Sequence, residues 1–386
     1  MRQFERTHSW LKFRLDLNRF PYTLWIALGE AQSKCEHIAG VPLAPEIAKK
    51  LHNIYLAKGT LATAAIEGNT LSEEDALKRI EGKKDLPPSK EYLGQELDNI
   101  IEACNLIAKR LFDDGDNQLS SNKIKEFNAL ILDKLPAKDD VEPGKIRQHD
   151  VGVGRYKAVP HQDCEYLLDQ YCDFINTQFN APTGKEIVFG VIKAIFAHIY
   201  FALIHPFADG NGRTARLIEL KILLSVGVPM PAAQLLNNHY NQTRNEYYRQ
   251  LDMISKKNGD VIEFIEYAVQ GYVDGLKEQL DIIRGYQFDV AWTNHIHKTF
   301  KDKDTPTNVR KRNLVLDLSK ENSTPLHKIN DVSPRIAGAY AGKDFRTILR
   351  DVNTLSAMGL IFKTIAGIRP KIQFINAFLP KRWQDK

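Results

Sequence analysis

Cysteine is scarce in this chain of 386 residues: four thiols, Cys35, Cys104, Cys164 and Cys172, with no CxxC pair among them. That spacing excludes the common zinc motifs and a disulfide framework, and leaves buried thiols of a reducing compartment as the expectation. Internal repeats and low-complexity tracts are missing as well, which excludes repeat arrays. No apolar run reads as long enough to span a bilayer, and the opening residues MRQFERTHSW lack the apolar centre of a signal peptide. A cytoplasmic protein with no membrane partner is therefore expected. What remains is ordinary for a folded chain: 43% hydrophobic and 26% charged residues, and length enough for two or three domains.

Against this plain background one segment stands out. Residues 205 to 216 read His205-Pro206-Phe207-Ala208-Asp209-Gly210-Asn211-Gly212-Arg213-Thr214-Ala215-Arg216. Before it, Phe189, Ile192, Ile195, Phe196, Ile199 and Leu203 recur at helical steps, so a buried helix runs towards His205. Pro206 cannot continue that helix. Gly210-Asn211-Gly212 allows positive φ and close approach of backbone to a ligand. From Arg213 a helical pattern resumes through Leu217, Leu220 and Leu224. The loop thus opens a helix, and free N–H groups at a helix start favour phosphate.

Residue type assigns the roles. His205 is the candidate general base, since imidazole titrates near neutrality and can take a proton from a hydroxyl nucleophile. Asp209 is a hard oxygen ligand suited to Mg²⁺ that also holds phosphate oxygens. Arg213 and Arg216, three apart at a helix start, share a face and can reach different phosphates of one nucleotide. Phe207 is expected to pack the loop into the core. The bland reading is a helix–loop–helix turn whose His and Arg are satisfied internally.

The segment resembles the signature of the Fic family, HPFx[DE]GNGRxxR, and matches it at every defined position. The resemblance implies a mainly α fold, a Fic helical bundle core with a β-hairpin flap. It implies transfer of AMP from ATP to a Ser, Thr or Tyr hydroxyl of a target protein, with release of pyrophosphate. Relatives with Lys at the position of Gly212 resemble the Doc kinases, so Gly212 argues for AMP transfer. On the family pattern Gly210, Asn211 and Gly212 line the anion hole, Arg213 contacts the inner phosphates, and Arg216 holds the γ-phosphate. ATP and Mg²⁺ are the implied ligands.

Two further elements fit the resemblance. Thr63-Ala64-Ala65-Ile66-Glu67-Gly68 is similar to the family's inhibitory motif, [ST]xxxE[GN], with Thr63 and Glu67 one helical turn apart and Gly68 placed to end that turn. Glu67 is then expected to pair with Arg216 and inhibit the enzyme, which would place the chain in the second Fic class. Ile146 to Val159 suits the flap, with Gly152 and Gly154 for the turn and Val151 and Val153 as apolar contacts. A flap predicts main-chain pairing with a target and not its identity. Tyr247, Tyr248 and Leu251 resemble the helix that neighbours adenine in the family, although two tyrosines in a helix also suit a core or its rim.

The charge is uneven: residues 287–386 hold 18 Lys and Arg against 9 Asp and Glu, although the whole chain carries a net charge of only +5. This basic end reads as a winged helix, with helices over Val309–Leu318, Ile329–Tyr340 and Lys343–Met358. Wing strands are expected at Leu360–Lys363 and Lys371–Phe374, around Gly367. Arg346 and Arg350, four apart, could meet phosphates or base edges, or the module could contact protein. Three regions result: an N-terminal helical region, 1–110, with the inhibitory motif; a catalytic core, 111–285; and a winged-helix-like region, 286–386. The leading expectation is a self-inhibited protein adenylyltransferase. The alternatives are a DNA-binding regulator with the Fic domain as sensor, or an enzyme that removes AMP. Self-modification and a homodimer are left open, and so are the target and the nucleotide base.

Overall fold

The apolar run before His205 folds as a single helix, Glu186–Ile204, buried on nearly every side. Its most apolar 18-residue window has a mean hydropathy of 2.2, so by length and composition alone the helix could cross a membrane. That corrects the sequence expectation that no run is long enough. In the folded chain 83% of its apolar window is covered by protein. A helix apolar all round is stable where neighbours surround it, and here they do.

The computed structural model describes residues 2–14, 16–83, 86–136, 140–154, 156–319 and 322–372. Its helices are α1 (Phe4–Thr7), α2 (Tyr22–Gly40), α3 (Pro45–Ile66), α4 (Glu73–Ile80), α5 (Glu91–Asp114), α6 (Ser121–Ile131), α7 (Cys164–Thr177) and α8, the helix just described. They continue as α9 (Asn211–Ser225), α10 (Met230–Ala233), α11 (Leu235–Gln242), α12 (Arg244–Lys256), α13 (Ile262–Thr299), α14 (Pro306–Asp317), α15 (Pro334–Tyr340) and α16 (Phe345–Ala357). Two antiparallel hairpins complete the fold: β1 (Gly152–Val153) with β2 (Tyr156–Lys157), and β3 (Ile361–Thr364) with β4 (Gly367–Pro370). The chain divides into two compact units, Met1–Leu280 and Asp281–Lys386.

In the first unit α8 is packed by α2, α7 and most extensively α9. The helix carrying the TxxxEG motif, α3, lies against α4, α5, α9 and α11. Small residues, Gly59, Thr60, Ala62, Thr63 and Ala64, are buried in it and permit that close approach. It ends at Ile66, Glu67 is its C-cap, and Gly68 turns the chain away at φ 106°. The β1–β2 hairpin falls inside the predicted flap; Arg155 lies outside the described residues.

In the second unit Trp292, Phe300, Leu314, Tyr340, Val352 and Ile368 belong to one core. Each helix start is specified locally: Thr305 caps α14, Ser333 caps α15, and Asp344 caps α16, each accepting a backbone N–H with its side chain. The second wing strand is displaced from its expected place. It runs Gly367–Pro370 and not Lys371–Phe374, of which Gln373 and Phe374 lie outside the described residues. Gly367 is not the turn but the start of the strand. The carbonyl oxygen of Thr324 lies 2.1 Å from where a Cβ would stand, and the Thr324 backbone pairs with Ile368. The glycine serves a close backbone approach, and Ile365-Ala366 form the turn.

Candidate functional site

The loop between α8 and α9 is fixed by its own side chains and by its neighbours. His205 closes α8 in the left-handed region, φ 51°, with its N–H on the Phe201 carbonyl at 2.9 Å. Phe207 is buried, as expected. Asn211 braces the loop from within: its Oδ1 accepts the Phe207 N–H at 2.9 Å and its Nδ2 donates to the Phe207 carbonyl at 2.7 Å. Asn128 on α6 braces it from outside, donating to the Asp209 carbonyl at 2.9 Å. Gly210 has φ 77°, and a Cβ there would lie 2.9 Å from Asn128 Nδ2. The outcome is a rigid turn that presents the first-turn N–H groups of α9, which have no partner within the helix.

His205 is held as a neutral imidazole. Its Nδ1 faces the Ala202 carbonyl at 3.3 Å, and a carbonyl can only accept, so the proton sits on Nδ1 and the Nε2 lone pair is free. Burial pushes its pKa down to about 4, outweighing the Ala202 carbonyl, Glu67 and Asp209, which favour the charged form; Arg147 adds to the lowering. The imidazole is neutral at pH 7.

Arg216 is 1% exposed. Its Nη2 donates to Glu67 Oε1 at 2.6 Å and to the Thr63 carbonyl at 3.0 Å, so both ends of the TxxxE turn meet one guanidinium. Its Nε and Nη1 are buried with no hydrogen-bond partner among the described residues. Burial works against the Glu67 carboxylate, but the Arg216 charge and hydrogen bond prevail, and its pKa lies below the usual range. Gly212 makes this contact sterically feasible: a Cβ there would lie 2.2 Å from Glu67 Oε1. Arg213 is held by Glu96 at 2.7 Å and by Asp209 at 3.1 Å.

Two cavities open here, and Glu67 lines both. The larger, about 580 Å³, is bounded by His205, Gly212, Arg216, Tyr247, Tyr248 and the flap residue Val153. Its size suits a nucleoside. Tyr247 and Tyr248 are therefore both core and cavity wall: Tyr247 is buried, its hydroxyl paired with His198 at 2.9 Å, whereas Tyr248 is partly exposed. The smaller cavity, about 370 Å³, is bounded by Asp209, Arg213, Glu96 and Asn69. Among the described residues no cluster of three metal-ligating side chains occurs. Asp209 fits Mg²⁺ in the manner of a single carboxylate that shares the ion with phosphate and water, because its carboxylate is half exposed on this cavity.

Sequence reasoning finds His205 to Arg216 and Glu67 but not the residues that support them. Glu96 on α5 is one: it holds Arg213 with Oε1 and accepts from Asn69 Nδ2 at 2.8 Å with Oε2. Asn69 also donates to the Leu93 carbonyl and accepts the Leu71 N–H, so it fastens the chain directly after Glu67. Arg147 is another. Its buried guanidinium donates to the carbonyls of His205, His149 and Val159 and ties the flap base to the loop. The hairpin is tied again by Tyr156, whose hydroxyl donates to the Leu203 carbonyl at 2.8 Å. No local signal marks them: Asn69 lies between Gly68 and Thr70, and Arg147 is followed by Gln148-His149-Asp150.

At one loop of a helical domain a neutral imidazole, the start of α9 and two arginines come together, an arrangement that suits phosphate. Residues 118–223 of the chain match the Fic/DOC family. The chain is 30% identical over 227 residues to protein adenylyltransferase fic-1 of Caenorhabditis briggsae, covering 56% of this chain and 41% of that one. It is 26% identical over 206 residues to protein adenylyltransferase Fic of Nematostella vectensis, covering 53% and 44%. The chain thus spans less than half the length of these relatives. A Fic family protein from Desulfovibrio desulfuricans superposes with a TM-score of 0.52 at 20% identity, over 88% of this chain and 91% of that chain. Fic-1 from C. elegans does so with 0.55 at 22%, over 68% and 74%. At these identities the likeness is one of fold.

Proposed function

We propose that this protein transfers AMP from ATP to a hydroxyl side chain of a protein, itself included, and that Glu67 restrains the reaction. The observation that carries this reading is the convergence of three features on one cavity: a neutral His205, the start of α9, and an Arg216 with two unpartnered buried nitrogens. ATP would place its nucleoside against Tyr247 and Tyr248 and its phosphates on the α9 N–H groups, Arg213 and Arg216. The target hydroxyl oxygen bonds to the α-phosphorus as the bond to pyrophosphate breaks, and the hydroxyl proton passes to His205 Nε2. Mg²⁺ on Asp209 would offset phosphate charge. The flap would hold the target by main-chain pairing beside His205.

While Glu67 occupies Arg216, the γ-phosphate cannot, and the α-phosphate is not turned to the hydroxyl. A hundredfold preference for this closed state requires only about 2.7 kcal/mol. Incubation of the pure protein with ATP and Mg²⁺, followed by intact-mass measurement, tests the reading: an added AMP supports it. If the wild type and Glu67→Gly both stay unmodified and leave ATP unturned with candidate targets present, transfer is refuted. The Glu67 side chain, 33% exposed, also supports a second reading, in which it orients water to remove AMP. Loss of label from a modified protein, without pyrophosphate, would favour it.

A further inference from the structure

The second unit has a face that the nucleotide chemistry does not use. Helix α15, a turn at Ala341-Gly342-Lys343 with Gly342 at φ 69°, and α16 form a helix–turn–helix, followed by the β3–β4 hairpin. Inward, α16 buries Ile348, Val352 and Leu355. Outward, Arg346, Arg350 and Asn353 follow at steps of four and three and are all exposed. Neither arginine forms an ion pair among the described residues, although acidic residues are near in sequence. Each nearby carboxylate is committed elsewhere. Asp351 is buried and accepts from Arg310 at 2.7 Å and from Tyr340 at 3.0 Å. Asp317 holds Arg335, and Asp344 accepts the Arg346 backbone N–H as the helix cap. The hairpin continues the positive face: Lys363 is exposed and donates to Asn353, joining wing to helix. At its tip Ile365 is fully exposed, an apolar side chain with nothing of this unit covering it.

We propose that this face binds duplex DNA, with α16 in the major groove and the hairpin along the adjacent backbone. Two long guanidiniums on the outward face of α16, without an ion pair among the described residues, suit base edges and phosphates, whereas a protein partner would need an apolar patch larger than Phe345 and Ile365 supply. Lys343, Lys363 and the two arginines would neutralise about four phosphates, so affinity should fall with salt at a log–log slope of about −3.6. The inference does not depend on AMP transfer.

Fluorescence anisotropy of the full chain with a labelled random-sequence duplex of about 25 base pairs, at low and high salt, tests it. Wild type should bind with that salt dependence. The double variant Arg346→Ala/Arg350→Ala should lose at least tenfold in affinity and about two units of slope. Arg346→Lys/Arg350→Lys should keep most of the non-specific binding. Lys301→Ala/Lys303→Ala, exposed basic residues in the loop between α13 and α14, should change affinity less than twofold. Circular dichroism confirms that each variant is folded. Absence of binding at low salt, or equal loss in the control pair, overturns the proposal. So does a change of oligomeric state in the arginine variant with no DNA bound by the wild type, which would mark a protein interface.

Discussion

Glu67 and Arg216 meet at 2.6 Å although 149 residues separate them, and the contact satisfies only one of the three guanidinium nitrogens. A buried arginine with two idle donors is costly unless something else completes it. On the proposed function the pair is one of two arrangements of the same guanidinium, with phosphate oxygens as the other partner. Glu67→Gly should raise AMP incorporation by ten- to a hundredfold, as measured with labelled ATP. Arg216→Ala should not, because it removes the clamp with its blocker. A Glu67→Gly protein that is folded, binds ATP and is no faster would show that the pair is not the brake.

His205→Ala should keep ATP binding within a few-fold and lower transfer by about 10²–10⁴. The pH profile should carry the same signature. A pKa lowered to about 4 keeps the free base present above that pH and removes it only as pH falls through 4. kcat/KM should therefore be flat from pH 5 to 7. A limb near pH 6.5 would mean an ordinary histidine or a different base.

Asp209→Ala should leave a low activity that no longer responds to added Mg²⁺. Asp209 is the one carboxylate inside the signature, and its half-exposed side chain faces the smaller cavity. An unaltered Mg²⁺ titration curve would place the metal elsewhere.

Asn69→Ala should release the restraint in part. It removes the hydrogen bonds to Leu93, Glu96 and Leu71 that fasten the chain after Glu67, and leaves Glu67 itself in place. We expect AMP incorporation between wild type and Glu67→Gly, with a stability loss of about 1–3 kcal/mol by denaturant titration. Incorporation at the wild-type level despite that loss would confine Asn69 to a packing role.

Gly367→Ala should destabilise the second unit by about 2–3 kcal/mol, because the new methyl meets the Thr324 carbonyl and the backbone is held at φ 137°. Hydrogen exchange over residues 360–370 should speed up while that of α8 and α9 is unchanged. Unchanged exchange in the hairpin would contradict the close approach.

Residues 205 to 216 were legible as a loop between two helices because the helix end, the turn glycines, the imidazole, the carboxylate and the two guanidiniums are contiguous. Their order along the chain is their order in space. Helices α8 and α9 were legible for a related reason, since apolar periodicity and Pro206 mark their ends locally. The TxxxEG turn could be recognised by its pattern and its glycine. Tertiary structure decided what contiguity cannot encode. Glu96 reaches Arg213 across 117 residues, and nothing in the amphipathic pattern of α5 distinguishes this glutamate from the solvated ones beside it. The length and apolarity of α8 are those of a membrane span, and only the helices packed around it make it a core element. Gly367 reads equally as a turn or as a close approach, and the choice depends on Thr324, brought alongside by the fold. Local sequence fixes φ, ψ and the chemistry of neighbours, whereas a pairing between distant side chains exists only once the intervening helices have packed.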